Sequence, residues 1–183
     1  MKQTISAYIE LMKTRVTSLV LVTAYLGYYL GLRSQGEHMA SLESWYILFY
    51  LLLGTWCTSS GAAVLNQVIE RRHDAKMNRT KNRPLVKGIL QPVQALIFGL
   101  LLSLSGFTFL YFFTNPITAL ISLATIILYI FIYTPSKRIT TWNTIIGSIP
   151  GALPPVGGWT AATGALAPPA WILFGILFCW QMP

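Results

Sequence analysis

Two long stretches of this 183-residue chain, 88 to 136 and 139 to 183, contain no Asp, Glu, Lys or Arg. A bilayer core takes about 20 apolar helical residues per crossing, so each stretch has room for two. Charged residues make up 10% of the chain, against about 25% in soluble domains. That is too little polar surface to coat a domain in water. The predicted fold class is therefore an all-α integral membrane protein, built as a multi-helix bundle. Cys57 and Cys179 both fall within apolar segments, which argues against a disulfide framework or a cysteine metal site.

Five crossings are expected, at Val16 to Leu32, Trp45 to Val68, Pro92 to Phe113, Ile117 to Tyr133 and Trp142 to Ala162. Thr114-Asn115-Pro116 is too short a link for anything but antiparallel neighbours. The fifth crossing is expected to be broken by Pro150, Pro154, Pro155, Gly157 and Gly158, and so to face protein or a wet cavity rather than lipid. A sixth apolar stretch follows Pro168-Pro169 and stops at Pro183 without a basic flank, so the chain reads as the amino-terminal part of something longer. There is no fixed-period repeat, and the first apolar segment lacks a signal-peptide cleavage pattern.

Lys and Arg alternate from loop to loop. The amino end carries Lys2, Lys13 and Arg15, the 33 to 44 loop only Arg33, and the 69 to 91 loop seven basic residues. The turn at 114 to 116 has none, 134 to 141 has Lys137 and Arg138, and 163 to 169 has none. This bias places the amino terminus in the cytoplasm. Topology and attraction to anionic lipid are the plain explanation for the basic loop at 69 to 91.

The acids add something topology does not need. The chain has five carboxylates, and two of them, Glu70 and Asp74, lie four residues apart where the second crossing leaves the membrane. Asn66 lies four residues before Glu70. At 100° per residue the three positions turn through only about 80°, so they share one helix face. Carboxylates stacked near a helix carboxyl end repel each other and the helix dipole unless a cation compensates. Carboxylate and amide oxygens suit a hard ion such as Mg²⁺, which completes its shell with water and phosphate oxygens. The competing explanation is surface pairing with Arg71, Arg72 or Arg79. Beyond Asp74 come Lys76, Arg79, Lys81, Arg83 and Lys87, with Arg79 and Arg83 on one face if the helix continues. Arg forks match phosphate oxygens, so the region reads as a membrane site for a diphosphate.

The stretch from Asn66 to Leu85, NQVIERRHDAKMNRTKNRPL, resembles the first signature of the UbiA-type intramembrane aromatic prenyltransferases. Its Asn-x3-acid-x3-Asp spacing is shared by the whole superfamily. The tail from Asp74 to Arg83-Pro84-Leu85 is similar to the narrower protohaem IX farnesyltransferase (haem O synthase) branch. Tyr133-Thr134 with Lys137-Arg138, and Gly151-Ala-Leu-Pro-Pro155 with Gly158-Trp159, agree. Lys13-Thr14-Arg15 stands where that branch often has Lys-Pro-Arg, Glu70 where it often has Asp, and Ser136 where it tends to have Leu.

The resemblance implies a ring of nine membrane helices, of which about five to six are present in the single domain at 1 to 183, with 66 to 91 as a cytoplasmic metal-diphosphate loop. It also implies a second acidic motif beyond this chain. By the same resemblance, Mg²⁺ is held by Asn66, Glu70 and Asp74. The head of farnesyl diphosphate meets Arg79, Arg83, Lys137 and Arg138, with Tyr133 beside the substrate. Haem b is the acceptor rather than a cofactor, a benzoate or quinone precursor the alternative acceptor, and a transporter the reading from another class. The implied setting is a bacterial inner membrane with no nucleic-acid partner, and association with haem A synthase or terminal-oxidase assembly. Tyr133, Trp142 and Trp159 are candidates to face an allylic cation, interfacial anchoring being the competing role. His38 and His73 read as solvated side chains rather than iron ligands.

Overall fold

The computed structural model describes residues 2 to 137 and 139 to 182. Arg138, expected at the diphosphate, lies outside them. Among the described residues every regular element is a helix: α1 (Lys2–Leu11), α2 (Thr14–Ser34), α3 (Leu42–Asp74), α4 (Pro92–Phe113), α5 (Pro116–Ile127), a π-helical turn (Leu128–Tyr133), α6 (Thr134–Ser136), α7 (Asn143–Thr163) and α8 (Pro168–Trp180). Four rods are long and apolar enough to cross a membrane: α2, α3, α4 and the continuous run Pro116–Ser136. α7 has the length of a span, but its Gly, Pro and Thr content lowers its apolarity.

The caps are those the sequence offers. The Ser41 hydroxyl accepts from the Ser44 amide to open α3, and Gln91 and Gln94 form a capping box ahead of α4. Asn115 caps α5 with Pro116 in its first turn.

Small residues let the rods approach, as they must where lipid supplies no hydrophobic drive between helices. A Cβ at Gly27 would overlap the Pro155 carbonyl, and one at Gly158 the Ala24 carbonyl, which fixes α2 against α7. Gly54 and Gly106 do the same for α3 against α4. α7 is not broken as expected: it runs as one helix through Pro150, Pro154 and Pro155. Its small residues press it onto α2, and burial of Pro150, Pro155, Gly157 and Gly158 bears out its interior placement.

Two features depart from the sequence reading. The loop expected at 66 to 91 begins only at Ala75, because α3 runs on to Asp74 and carries Glu70 and Asp74 on the helix face their spacing predicts. Helix α1, ahead of the first crossing, is the other. It buries Ala7 and Leu11, with Met12 just beyond its end, against Val64, Leu85, Leu90 and Ala95, while Tyr8 meets Phe98 edge-on at 4.8 Å. These contacts lay α1 across the basic end of α3 and α4.

Candidate functional site at the basic end of the bundle

α1 and α2 meet at an elbow whose pivot, Lys13, is the one non-glycine residue with positive φ among those described, at 49°. An L-residue there costs about 1–2 kcal/mol, so the elbow must be held from outside. Two side chains hold it. Gln67 donates from Nε2 to the Leu11 carbonyl at 2.8 Å, and Thr17 donates from Oγ1 to the Met12 carbonyl at 3.0 Å. The result aims the Lys13 ammonium at α3, where Nζ lies 3.5 Å from Asn66 Oδ1. Burial, reinforced by the positive charges of Arg83 and Lys137, lowers the Lys13 pKa to about 8.

Asn66, Glu70 and Asp74 project from one face of α3, as their spacing predicts. Asn66 is fully buried, and its Nδ2 donates to Thr134 Oγ1 at 2.9 Å. Glu70 pairs with Lys137 at 3.3 Å, and Lys137 in turn lies 4.4 Å over the Tyr133 ring. Asp74 is buried and paired with Arg83, and its carbonyl accepts from Thr80 Oγ1. The carboxylates therefore draw their partners from the basic residues assigned to phosphate, not from Arg71, Arg72 or Arg79 as the surface explanation required.

The chain does not bring Arg79 into this group. α3 ends at Asp74 and a series of turns follows, so Arg79 and Arg83 do not share a helix face. Pro84 disfavours helix at Arg83 and removes a donor, and Thr80 folds the loop back onto Asp74. Arg83 returns to the site while Arg79 stays exposed.

Below the cluster opens a cavity of about 350 Å³, lined at its basic end by Lys13, Tyr129 and Tyr133 and at its opposite end by Leu51, Leu110, Thr118 and Gly157. From Tyr129 to Thr118 the wall is about 16 Å long at 1.5 Å per residue. The lining mixes apolar side chains such as Ile121, Ile126 and Leu153 with the hydroxyls of Thr55, Ser59, Ser122 and Thr125. Trp142 and Trp159 are not on it. Trp142 is exposed, and Trp159 lies near the far end of α7, lining a separate groove with Arg33 and Ile172. His73 is exposed, and His38, also exposed, hydrogen-bonds Arg33.

Lys13, Tyr129 and Thr134 join the site although the sequence reading gave them no role there. Lys13 and Thr134 lie in stretches compared with the family, but a lysine before an apolar run also reads as an interfacial anchor, and Tyr129 lies in no motif. No group of three or more His, Cys, Asp or Glu gathers among the described residues. The oxygen set of two carboxylates and one amide is thus partial, which fits an ion that takes its remaining ligands from water and phosphate.

A family model described as the UbiA prenyltransferase family matches residues 17 to 183. The chain is similar to a protein named Protoheme IX farnesyltransferase from Solibacter usitatus, 45% identical over 178 residues, covering 96% of this chain and 61% of that protein. Proteins of the same name from Koribacter versatilis and Opitutus terrae are 44% and 39% identical, covering 96% and 97% of this chain and 56% and 58% of those proteins. The chain thus spans little more than half the length of these curated relatives. No solved structure gives a significant match.

Proposed function

The chain belongs to the UbiA prenyltransferase family and is an integral membrane protein, and on that premise we propose that its protein transfers a farnesyl group from farnesyl diphosphate to the vinyl group of haem b, making haem O. The observation that carries this reading is the pairing of a charged mouth with the cavity beneath it. Asn66, Glu70 and Asp74 face Lys13, Arg83 and Lys137 directly above a largely apolar chamber with two tyrosines at its neck. The names of the relatives favour haem over other aromatic acceptors.

In this reading the mouth works by exchange of partners. Arg83 neutralises Asp74, and Lys137 neutralises Glu70. Asn66, Glu70 and Asp74 would hold an ion that arrives with the diphosphate, and Arg83 and Lys137 would turn to the phosphate oxygens. Mg²⁺, when bound, supplies charge neutralisation for the departing diphosphate. Arg83, Lys137 and Lys13 stabilise the same developing charge. The carbon–oxygen bond breaks toward the mouth and diphosphate leaves, so that the allylic cation in the chamber bonds to one vinyl carbon of haem b while one water adds to the other as hydroxyl and releases a proton. The faces of Tyr129 and Tyr133 stabilise that cation, while Ile121, Ile126 and Leu153 keep bulk water away.

The abundance of Lys and Arg at this end supports its placement on the cytoplasmic side of a bacterial inner membrane, amino terminus inside. The same reading includes association with haem A synthase or terminal-oxidase assembly, which would take up the product.

The test is haem extraction from membranes expressing the complete reading frame. Haem O is expected to accumulate, and Asp74→Asn to abolish it at equal protein abundance. A prenylated benzoate or quinone precursor in place of haem O would overturn the acceptor, and undiminished turnover by Asp74→Asn would overturn the metal role.

A further inference from the structure

The turn that ends the fourth membrane rod is wider than the helix before it. Leu128–Tyr133 is π-helical, and the Thr134 amide bonds the Tyr129 carbonyl five residues back. A π turn takes in one residue more than an α turn, which rotates the residues beyond it by about 100°. Such turns are uncommon and tend to occur at functional sites. Here the rotation sets the Thr134 side chain against α3, where it is completely buried.

The hydrogen bonds of Thr134 run in one direction only. Its Oγ1 lies 2.8 Å from the Tyr129 carbonyl, which can only accept, so the single hydroxyl proton is committed there. Toward Asn66 the oxygen has only lone pairs left. The contact at 2.9 Å must therefore be donated by Asn66 Nδ2. Asn66 is itself fully buried, so no water can take over this partner. Its amide oxygen is turned the other way, toward Lys13 Nζ.

We infer that Thr134 is a positioning residue: through a relay from the Tyr129 carbonyl to Asn66 Nδ2 it turns the Asn66 amide so that oxygen, not NH2, faces the metal–diphosphate site. The inference rests on the proposed function for what occupies that site. An amide turned over would place two N–H donors where a hard cation needs an oxygen. Partners that orient a ligand from behind are worth about 10–100-fold in metal affinity.

Mn²⁺ is the probe, titrated by electron paramagnetic resonance against the complete protein in detergent, with inorganic diphosphate present. Thr134→Val keeps the branched shape and removes the hydroxyl, and it is expected to weaken Mn²⁺ binding about tenfold. Thr134→Ser keeps the hydroxyl and should bind as the parent does. Thr134→Ala removes the same group with less bulk and replaces valine where valine does not fold. In turnover, the Mg²⁺ needed for half-maximal rate should rise while the KM for haem stays fixed, a split that general loosening of the helix would not give.

A second background sharpens the result. Asn66→Asp presents oxygen whichever way it turns, so Thr134→Val should cost nothing further there. The positioning role is overturned if Thr134→Val binds Mn²⁺ like the parent, if Thr134→Ser is equally weakened, or if the loss persists with Asn66→Asp. A parent protein that binds no Mn²⁺ sinks this inference together with the proposed function, whereas normal parent binding with an unaffected valine variant sinks this inference alone.

Discussion

The central cavity is closed at each end by polar side chains, and the two ends are built on opposite terms. At the end away from the basic loops, Asn115 caps α5 and donates from Nδ2 to the Thr160 carbonyl at 2.7 Å. Thr118 and Thr160 hydroxyls meet at 2.9 Å, both fully or nearly buried. All these groups are neutral, and each finds its partner on a neighbouring rod. At the basic end the groups are charged, partly open to solvent, and paired through long flexible side chains. A neutral, satisfied network gains nothing from a ligand and serves to close the bundle. A cluster of half-buried ion pairs changes partners only if a ligand supplies equivalent charges, which a diphosphate with its ion does.

Arg83→Ala separates the two ends most sharply. On the proposed function, losing the Arg83 fork should raise the KM for farnesyl diphosphate about tenfold, the equivalent of one charge-assisted hydrogen bond. Because Arg83 also occupies Asp74, its removal frees a carboxylate, and the Mg²⁺ requirement should not increase. Substrate and metal titrations on the same membranes check both. A rise in the Mg²⁺ requirement alongside the KM would show that Arg83 orients Asp74 rather than competing for it.

Asn115→Ala addresses the other end. It removes a helix cap and a hydrogen bond to Thr160, so unfolding free energy should fall by about 1–2 kcal/mol. Turnover per folded molecule should hold, since the residue lies at the far end of the chamber from the neck tyrosines. Thermal denaturation in detergent with a parallel rate assay would test this. A lost rate with unchanged stability would make the outer closure part of the chemistry.

The contrast also explains what the sequence disclosed. Span positions followed from the scarcity of charge, and the shared face of Asn66, Glu70 and Asp74 from helical periodicity, both local properties. The closure at Thr114-Asn115-Pro116 was equally local, with Asn and Pro in their usual capping positions. The mouth was only half legible, because its geometry comes from contacts distant in sequence. Gln67 holds the Lys13 elbow from 56 residues away from Leu11, and Thr134 reaches Asn66 across 68. Arg83 shares a face with Arg79 only on a helix that continues past Asp74, and the folded loop is what distinguishes them. The continuity of α7 through three prolines was hidden for a related reason, since close packing on α2 outweighs the local tendency to break.

Lys13 provides the smallest change in substrate affinity and the most selective one. Burial, aided by Arg83 and Lys137, holds its pKa near 8 against an ordinary 10.5. Between those values the unfolded chain binds a proton that the folded one has released, so stability should rise as pH goes from about 8 to 10.5. Substrate affinity should move the other way. A diphosphate favours the ammonium form, and above pH 8 the free protein must take up a proton to present it. From pH 7.5 to 8.5 the protonated fraction falls about threefold, and the KM for farnesyl diphosphate should rise by the same factor. Lys13→Arg cannot lose its charge, so both trends should flatten. Few causes other than this residue would make a protein more stable and less able to bind its substrate over one pH interval. If stability and affinity instead fall together above pH 8 in the parent, the elbow lysine is not the group being titrated.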